Sequence, residues 1–578
     1  MQKNYLITTN LEKNFIHKKK RLYLGDWCLD RNELKTNKTI TTINLNKYST
    51  YLQNLIYRIT GSLSVYLNSE NRQSFSKKFW QNLIWIWVSY YISSNFYRWK
   101  KIEYITKRKK YNYANLNYNK NFYYSDVNAY KNLISNSDLY NYLSIKKIID
   151  CFGSRFNKIT ITNSNLNNIK NNNFSYKYKL SFKKLFFDIY SFIFSFFLKK
   201  NIIFIASAFS IKNLIKLNFK LKQLPQFFSS YFNNETYVQI LSEKKRRSEK
   251  KFNFKPNNRF EVFLQKNIVN DLPLIYLENF NTILNKIKKI KLDPKIIVSA
   301  GEHYHVEDFK IWSLYQKEIK KKKIFTVEHG GAHHVDSGQF NYDNRFSNKN
   351  ISWIKSSNLD KPFNPKIFHN FIKRKNRSKI IYIGYERSKF PSRLCGSQVY
   401  ENNDLNTYLN LKVLTSKMKK DVNNLFYSPK FIEDRRVKEN IIEVLGKNKI
   451  LKSGSLKINL KDAKFVVCEY PQTAYIESFL TVPTFLVCDV DKTFIPDKNL
   501  KKIYLLLKKN NLLFKNMDSF IKFINKNSSS VDKFWEQSKI KKIRKKFENK
   551  FSINTLNNLL CSWENFLKKQ KKIYDKKK

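Results

Sequence analysis

The sequence predicts an α/β protein of two Rossmann-like domains, with a helical insertion in the N-terminal half and helices at the C-terminus. Three observations carry that expectation. The chain has 578 residues, too many for one ordinary core and enough for two large domains. Between 295 and 331 an apolar run, a helically spaced stretch, a second apolar run and a glycine pair follow one another. That is the pattern of a parallel crossover unit. A second series of short apolar runs, alternating with helical stretches, occupies 379–489.

The elements follow in chain order. Residues 21–28 predict a first strand ending in a glycine turn, which places Gly25 and Asp26 at the carboxyl edge of a sheet, where ligands bind in such folds. Residues 48–105 predict helix, 100–121 a Lys/Tyr/Asn-rich loop, 138–149 a helix and 202–208 a strand. The charged stretch 243–258 lacks an apolar period and predicts a mobile loop. Strands are expected at 295–300 and 323–327, joined by a helix over 306–322 that carries Phe309, Trp312, Tyr315 and Ile319. Residues 355–377 predict a linker. Beyond it, strands are expected at 379–384, 424–427, 463–468 and 484–489, with helices at 405–422, 431–445 and from 473. Helices from 518 onward are anchored by Trp535 and Trp563. The expected division is 1–354 as an N-terminal Rossmann-like domain with helical insertions, 378–532 as a C-terminal Rossmann-like domain and 533–578 as terminal helices with a basic tail.

The net charge of +64 suggests a polyanion partner, but the Lys are spread over the whole chain and accompany abundant Asn, Ile, Tyr and Phe. An AT-rich coding sequence produces that composition without selection for a partner. No folded nucleic-acid motif is present, so no specific nucleic acid is expected. Non-specific attraction to polyanions and to an anionic membrane surface remains, which leaves peripheral membrane association open. Cys28, Cys151, Cys395, Cys468, Cys488 and Cys561 are dispersed and form no C-x-x-C pair, which fits a reducing cytoplasm. The first twenty residues lack the apolar core of a leader. Residues 79–97 are uncharged and aromatic but carry Gln81, Asn82, Ser89, Ser93, Ser94 and Asn95, so a buried or interfacial helix is expected there rather than a membrane span.

Histidine is scarce, and five of the seven lie at 303, 305, 329, 333 and 334. An imidazole exchanges protons near neutral pH. His329 is followed by Gly330 and Gly331, where backbone amides can approach a ligand closely and hold anionic oxygen. His329 is therefore the candidate general base or phosphate contact, with Glu328 beside it as a candidate orienting carboxylate. Glu302, after the preceding strand, is a candidate cleft residue. His303 and His305 would face one way in an extended segment and could join His333, His334 or Asp336 at a metal, but the spacing matches no strong signature and no metal is expected. Farther on, Thr473 is a candidate N-cap and Glu477 lies one turn along the same helix, suited to ribose or sugar hydroxyls. Ser453 and Gly454 form a small-residue turn that could touch phosphate, as could Arg435 and Arg436. Tyr385, with Glu386 and Arg387, follows the first strand of the second series.

The ordered set of these pieces resembles a family of transferases encoded in surface-polysaccharide, O-antigen-type gene regions. The carrying residues are Tyr23 to Cys28, Phe79 to Trp99, Asp138 to Asn141, Asp308 to Trp312, Glu328 to Gly331, Phe346 to Trp353, Thr473 to Glu477 with Val482 to Thr484, and Phe534, Trp535, Lys546 and Phe547. The resemblance implies the two-domain GT-B glycosyltransferase fold, with a nucleotide-activated donor on the C-terminal domain. It implies that His329 to Gly331 face the cleft and that Thr473 and Glu477 lie on the donor side. Such folds stabilise a leaving diphosphate with helix dipoles and basic side chains, so no cofactor is expected. Two positions depart from the pattern: Glu328 stands where Gln is commoner, and no Arg accompanies Leu425 to Tyr427. The function expected is transfer of a sugar or related group from a nucleotide donor to a glycan or lipid-linked acceptor. The alternatives are a glycerophosphate or polyol-phosphate transferase on the same fold and a non-enzymatic basic nucleic-acid- or membrane-surface-binding protein.

Overall fold

The computed structural model describes residues 5–33, 39–40, 43–107, 110–118, 122–161, 201–225, 232, 252–331, 342–354, 361–365, 377–385, 388–391, 403–429, 435–454, 456–494, 498–551 and 556–576. Among them, thirteen strands form three sheets whose strand pairs are all parallel. The first sheet holds β1 (Tyr5–Ile7), β2 (Arg21–Tyr23), β3 (Tyr111–Leu116) and β4 (Phe156–Ile161), in the order β2-β1-β3-β4. The second holds β5 (Ile202–Ile205), β6 (Ile296–Ser299), β7 (Lys323–Val327) and β8 (Lys349–Ile351) in sequence order. The third holds β9 (Lys379–Ile383), β10 (Leu425–Tyr427), β11 (Ala463–Cys468), β12 (Thr484–Val487) and β13 (Leu513–Phe514), in the order β10-β9-β11-β12-β13. The mixed α/β class and its Rossmann-like parallel sheets are thus as the apolar runs predict. The N-terminal half carries two sheets where one was expected.

A helical hairpin, α1 (Ser49–Asn71) and α2 (Lys77–Thr106), separates β2 from β3. The Ser76 hydroxyl caps α2 by accepting from the Phe79 N–H at 3.1 Å. α2 is apolar on nearly every side, the signature of a helix buried all round. Trp80, Trp85, Trp87, Tyr91 and Trp99 are all buried. Its polar side chains turn back on the helix itself: Asn95 donates to the Tyr91 carbonyl at 2.9 Å and Ser89 to the Trp85 carbonyl at 2.6 Å. The buried aromatic helix is therefore as expected. Among the described residues no helix is long and apolar enough to cross a membrane.

Several boundaries differ from the expectations. The first strand is β1, not 21–28; three residues in a basic N-terminus are too short to show a period. The expected loop at 100–121 begins inside α2 and continues into β3, which lies between β1 and β4. Its Asn112 is buried and accepts from the Asn157 amide on β4 at 3.3 Å, so a polar residue is tolerated inside the sheet. The terminal helices do not stay together. Trp535 and Phe547 join the core of the third sheet. The helix α3 (Leu556–Asp575) returns to the second sheet, where Leu559, Trp563 and Leu567 pack with Phe204, Val298 and Val327. Most of the expected mobile loop (243–251) and most of the expected linker (355–360 and 366–376) lie outside the described residues.

Candidate functional site

In an open parallel sheet, ligands bind at the carboxyl ends of strands, above all where the strand order reverses. The third sheet reverses between β9 and β11. The residues just past these two strands meet there. Glu469, buried at the end of β11, accepts from the Tyr382 hydroxyl at 2.6 Å, the Tyr385 N–H at 3.0 Å, the Asn410 amide at 2.5 Å and the Thr407 hydroxyl. Burial pushes its carboxyl above the usual carboxylate range, and the hydrogen bonds oppose that shift. Tyr385, which follows β9, is thus placed at the switch point, and its ring packs 5.3 Å from that of Tyr470. The sequence reading gave Glu469 no role; a charged residue directly after an apolar strand was the available signal.

The second sheet presents the ends of β6 and β7 side by side. Gly301 and Glu302 follow β6, and Glu328 to Gly331 follow β7. Gly301 lies against His329: a Cβ added there would sit 3.9 Å from the imidazole Nδ1. His329 is exposed and Glu302 half-buried. Burial raises the Glu302 carboxyl above its ordinary range. The candidate base His329 and the candidate cleft residue Glu302 are therefore on adjacent strand ends.

The glycine pair meets the third sheet. The Gly331 N–H donates to the Thr473 hydroxyl oxygen at 3.0 Å. A Cβ on Gly330 would come within 2.7 Å of that oxygen, and one on Gly331 within 2.5 Å of the Ile476 Cδ1 and 3.1 Å of the Trp353 ring. The glycines are required by this close approach. Thr473 opens the short helix α4 (Thr473–Phe479 in the chain), whose N-cap is Gln472 with no side-chain cap. This corrects the N-cap assignment of Thr473: its hydroxyl serves the glycine loop instead. It also means that the Gly331 amide points at Thr473 rather than standing ready for an anion.

Glu328 was expected to orient His329. It is buried, and its Oε2 accepts from the Trp353 N–H at 2.8 Å and the Ser352 hydroxyl at 3.0 Å. Its own carbonyl accepts from the Trp353 indole at 3.0 Å and the Asn364 amide at 3.1 Å. Glu328 thereby clamps the segment after β8 to the end of β7, and Trp353 becomes the floor of the glycine loop.

Glu477 is half-buried and faces Lys457, whose ammonium lies 3.7 Å from its Oε1. Lys457 follows the turn at Ser453 and Gly454, where Gly454 adopts φ +77° with nothing near its Cα side. Lys457, three residues past Gly454, is the link from this turn to Glu477. Gly25 and Asp26 are buried at the end of β2, on the first sheet, away from the strands that carry His329. That edge is tied to the C-terminal half by Trp27 against Phe390, 5.7 Å between ring centres, and by Arg31, which pairs with Glu443 and donates to Asn440 at 3.0 Å.

The expected alternation of His303 and His305 fails because 302–305 are helical, and residues two apart on a helix point away from each other. His303 is buried and hydrogen-bonds Asp343 through Nε2, while Tyr304 donates to the same carboxylate at 2.9 Å. His305 is exposed and contacts Asn128 at 3.3 Å. Among the described residues no group of three or more His, Cys, Asp or Glu could hold a metal ion. His333, His334, Asp336, Glu386 and Arg387 lie outside the described residues, as do the side chains of Arg435 and Arg436.

Comparison with known proteins adds a family and little else. The pattern of the family described as LIC12162 family transferase matches residues 4–567. No curated protein matches the sequence. Among solved structures, the chain is similar to Staphylococcus aureus MnaA in its structure with UDP, at 12% identity over 59% of this chain and 91% of that one, with a TM-score of 0.33. It is also similar to a point mutant of the Thermobaculum terrenum O-GlcNAc transferase, at 8% identity over 65% and 69% of the two chains, with a TM-score of 0.27. Likenesses this slight carry no argument about chemistry.

Proposed function

We propose that this chain, which belongs to the LIC12162 family of transferases, moves a sugar or related group from a nucleotide-activated donor to a surface-glycan precursor. The observation that carries this reading is the Gly331 to Thr473 hydrogen bond, which sets the loop that begins at His329 against the helix that bears Glu477. The donor would lie over the β9–β11 switch point on the GT-B-like plan, with Glu477 accepting from its hydroxyls. The Ser453 and Gly454 turn, Lys457 and the amides of Gly330 and the α4 start would face its phosphates.

His329 then takes the proton from an acceptor hydroxyl as that oxygen forms its bond to the transferred carbon. The bond from that carbon to the phosphate oxygen breaks, and its electron pair leaves with the nucleoside diphosphate. The reading needs no cofactor or metal and places the reaction in the cytoplasm, at the inner membrane face when the acceptor is lipid-linked.

The test is thermal-shift screening of the protein against nucleotide sugars and CDP-alcohols, since a ligand that binds only the folded state raises its midpoint. Selective stabilisation by one nucleotide sugar, lost in Glu477→Ala, is expected. Stabilisation by a CDP-alcohol alone would replace the sugar with a polyol phosphate. Full turnover by His329→Ala with the identified donor and acceptor would remove the base.

A further inference from the structure

A cavity of about 900 Å³ opens beside α1 and shares no residue with the cleft described above. Tyr57, Arg58, Gly61, Val65, Tyr66 and Glu70 line one side of it. Those positions recur every turn, so the groove follows α1 for roughly 20 Å. The segment 252–257 forms the facing wall and runs the opposite way. Phe254 lies beneath the Arg58 guanidinium at 5.0 Å, while Phe252 meets the Tyr66 ring edge-on at 6.4 Å. Phe252 and Phe254 stack on each other at 5.8 Å.

The wall is set before any ligand arrives. Arg58 is held by the buried Glu261 at 3.1 Å and by the Lys255 carbonyl at 2.8 Å. Part of the surface left open is apolar, since Val65 is 71% and Tyr57 47% exposed, beside the polar Ser62, Ser69, Asn253 and Asn257. Charge is distributed unevenly along it. Lys77 lies across Gly61, where an added Cβ would meet its Cε at 2.9 Å, and Lys255 stands on the facing wall. Neither ammonium has an ion-pair partner among the described residues. Among the described residues, Glu70 at the far end is the only acidic one lining it.

We propose that this groove binds a single elongated amphiphile with an anionic head, a long-chain phosphate or carboxylate. The head sits between Lys77 and Lys255, and the chain runs along Val65 and Tyr66 toward Glu70. An anion at the cationic end is attracted to both ammonium groups, and the same charge at the other end would face a carboxylate. An apolar chain on that path removes Val65 from water, which neither an inorganic anion nor a polar sugar does, while Tyr57, its ring 5.8 Å from the Lys77 ammonium, stands at the head end. The site does not depend on the transferase reading.

The test titrates dodecyl phosphate, below its micelle concentration, into the full-length protein by calorimetry. Saturable binding at one site is expected, with no competition from inorganic phosphate. The double variant Lys77→Glu with Lys255→Glu should weaken it at least about tenfold. Ser62→Trp, which fills the groove from the α1 side, should weaken it comparably without changing the circular dichroism spectrum. Equal affinity in both variants would overturn the proposal. So would equally tight binding of dodecyl maltoside, which has the chain without the charge.

Discussion

The Gly331 amide donates to the hydroxyl of Thr473 at 3.0 Å, across 142 residues of chain. One hydrogen bond therefore joins the strand-end loop of the second sheet to the helix that leaves the switch point of the third. Gly331→Ala would drive a Cβ into Ile476 at 2.5 Å and Trp353 at 3.1 Å. Overpacking of this kind costs about 1–3 kcal/mol. The expected result is a lower thermal midpoint together with weaker donor binding, read by differential scanning fluorimetry with and without nucleotide sugar.

Thr473→Val keeps the shape of that contact and removes the acceptor. A buried N–H left without a partner costs about 1–3 kcal/mol. Equilibrium denaturation should show a loss in that range, and Thr473→Ser should restore most of it.

His329→Ala should behave differently. The ring is exposed, so stability should change by less than about 0.5 kcal/mol. Turnover should fall by about 10²–10⁴-fold if the imidazole takes the acceptor proton. Steady-state kinetics and a melting curve on the same preparation separate the two effects.

Glu469→Gln tests the switch point. The carboxylate accepts from Tyr382, Tyr385, Thr407 and Asn410, and a Gln amide nitrogen would turn donors toward donors. A loss of about 2 kcal/mol in denaturation is expected, with weaker nucleotide binding because Tyr385 is released.

Glu12 gives the pH prediction. It is buried beyond β1, accepts from the Thr8 and Thr9 N–H groups, and burial raises its pKa from 4.5 to about 7. The folded state therefore holds a proton that the unfolded chain releases between those values. The stabilisation from this group is full below pH 4.5 and is lost as pH rises through 7. Chemical denaturation at pH 5 and pH 7.5 should show a falling contribution of about 2 kcal/mol that Glu12→Gln flattens.

Much of the plan was legible because it is local. The runs 323–327 and 463–468 are mostly apolar, broken only by Lys323, Thr326 and Lys464, as strands covered on both faces are, and they became β7 and β11 without change. The glycine pair after His329 was legible for the same reason: a strand that stops at two glycines marks a place where something approaches closely. β3 was not legible, since its Asn residues find partners only on a strand about 45 residues away.

The sequence by itself determined that parallel α/β units exist, that α2 is buried, and that His329 to Gly331 and Thr473 to Glu477 stand at strand ends. Periodicity and glycine placement are properties of a few neighbouring residues, so a single chain reveals them. Only the tertiary structure decided what each polar group faces. It bound Glu328 to Trp353 and Ser352, took Thr473 from the helix cap to the glycine loop, buried His303 on Asp343, and made Glu469 the centre of the switch point. Hydrogen bonds between residues 24 to 142 positions apart depend on how the sheets are brought together, and no local pattern encodes that.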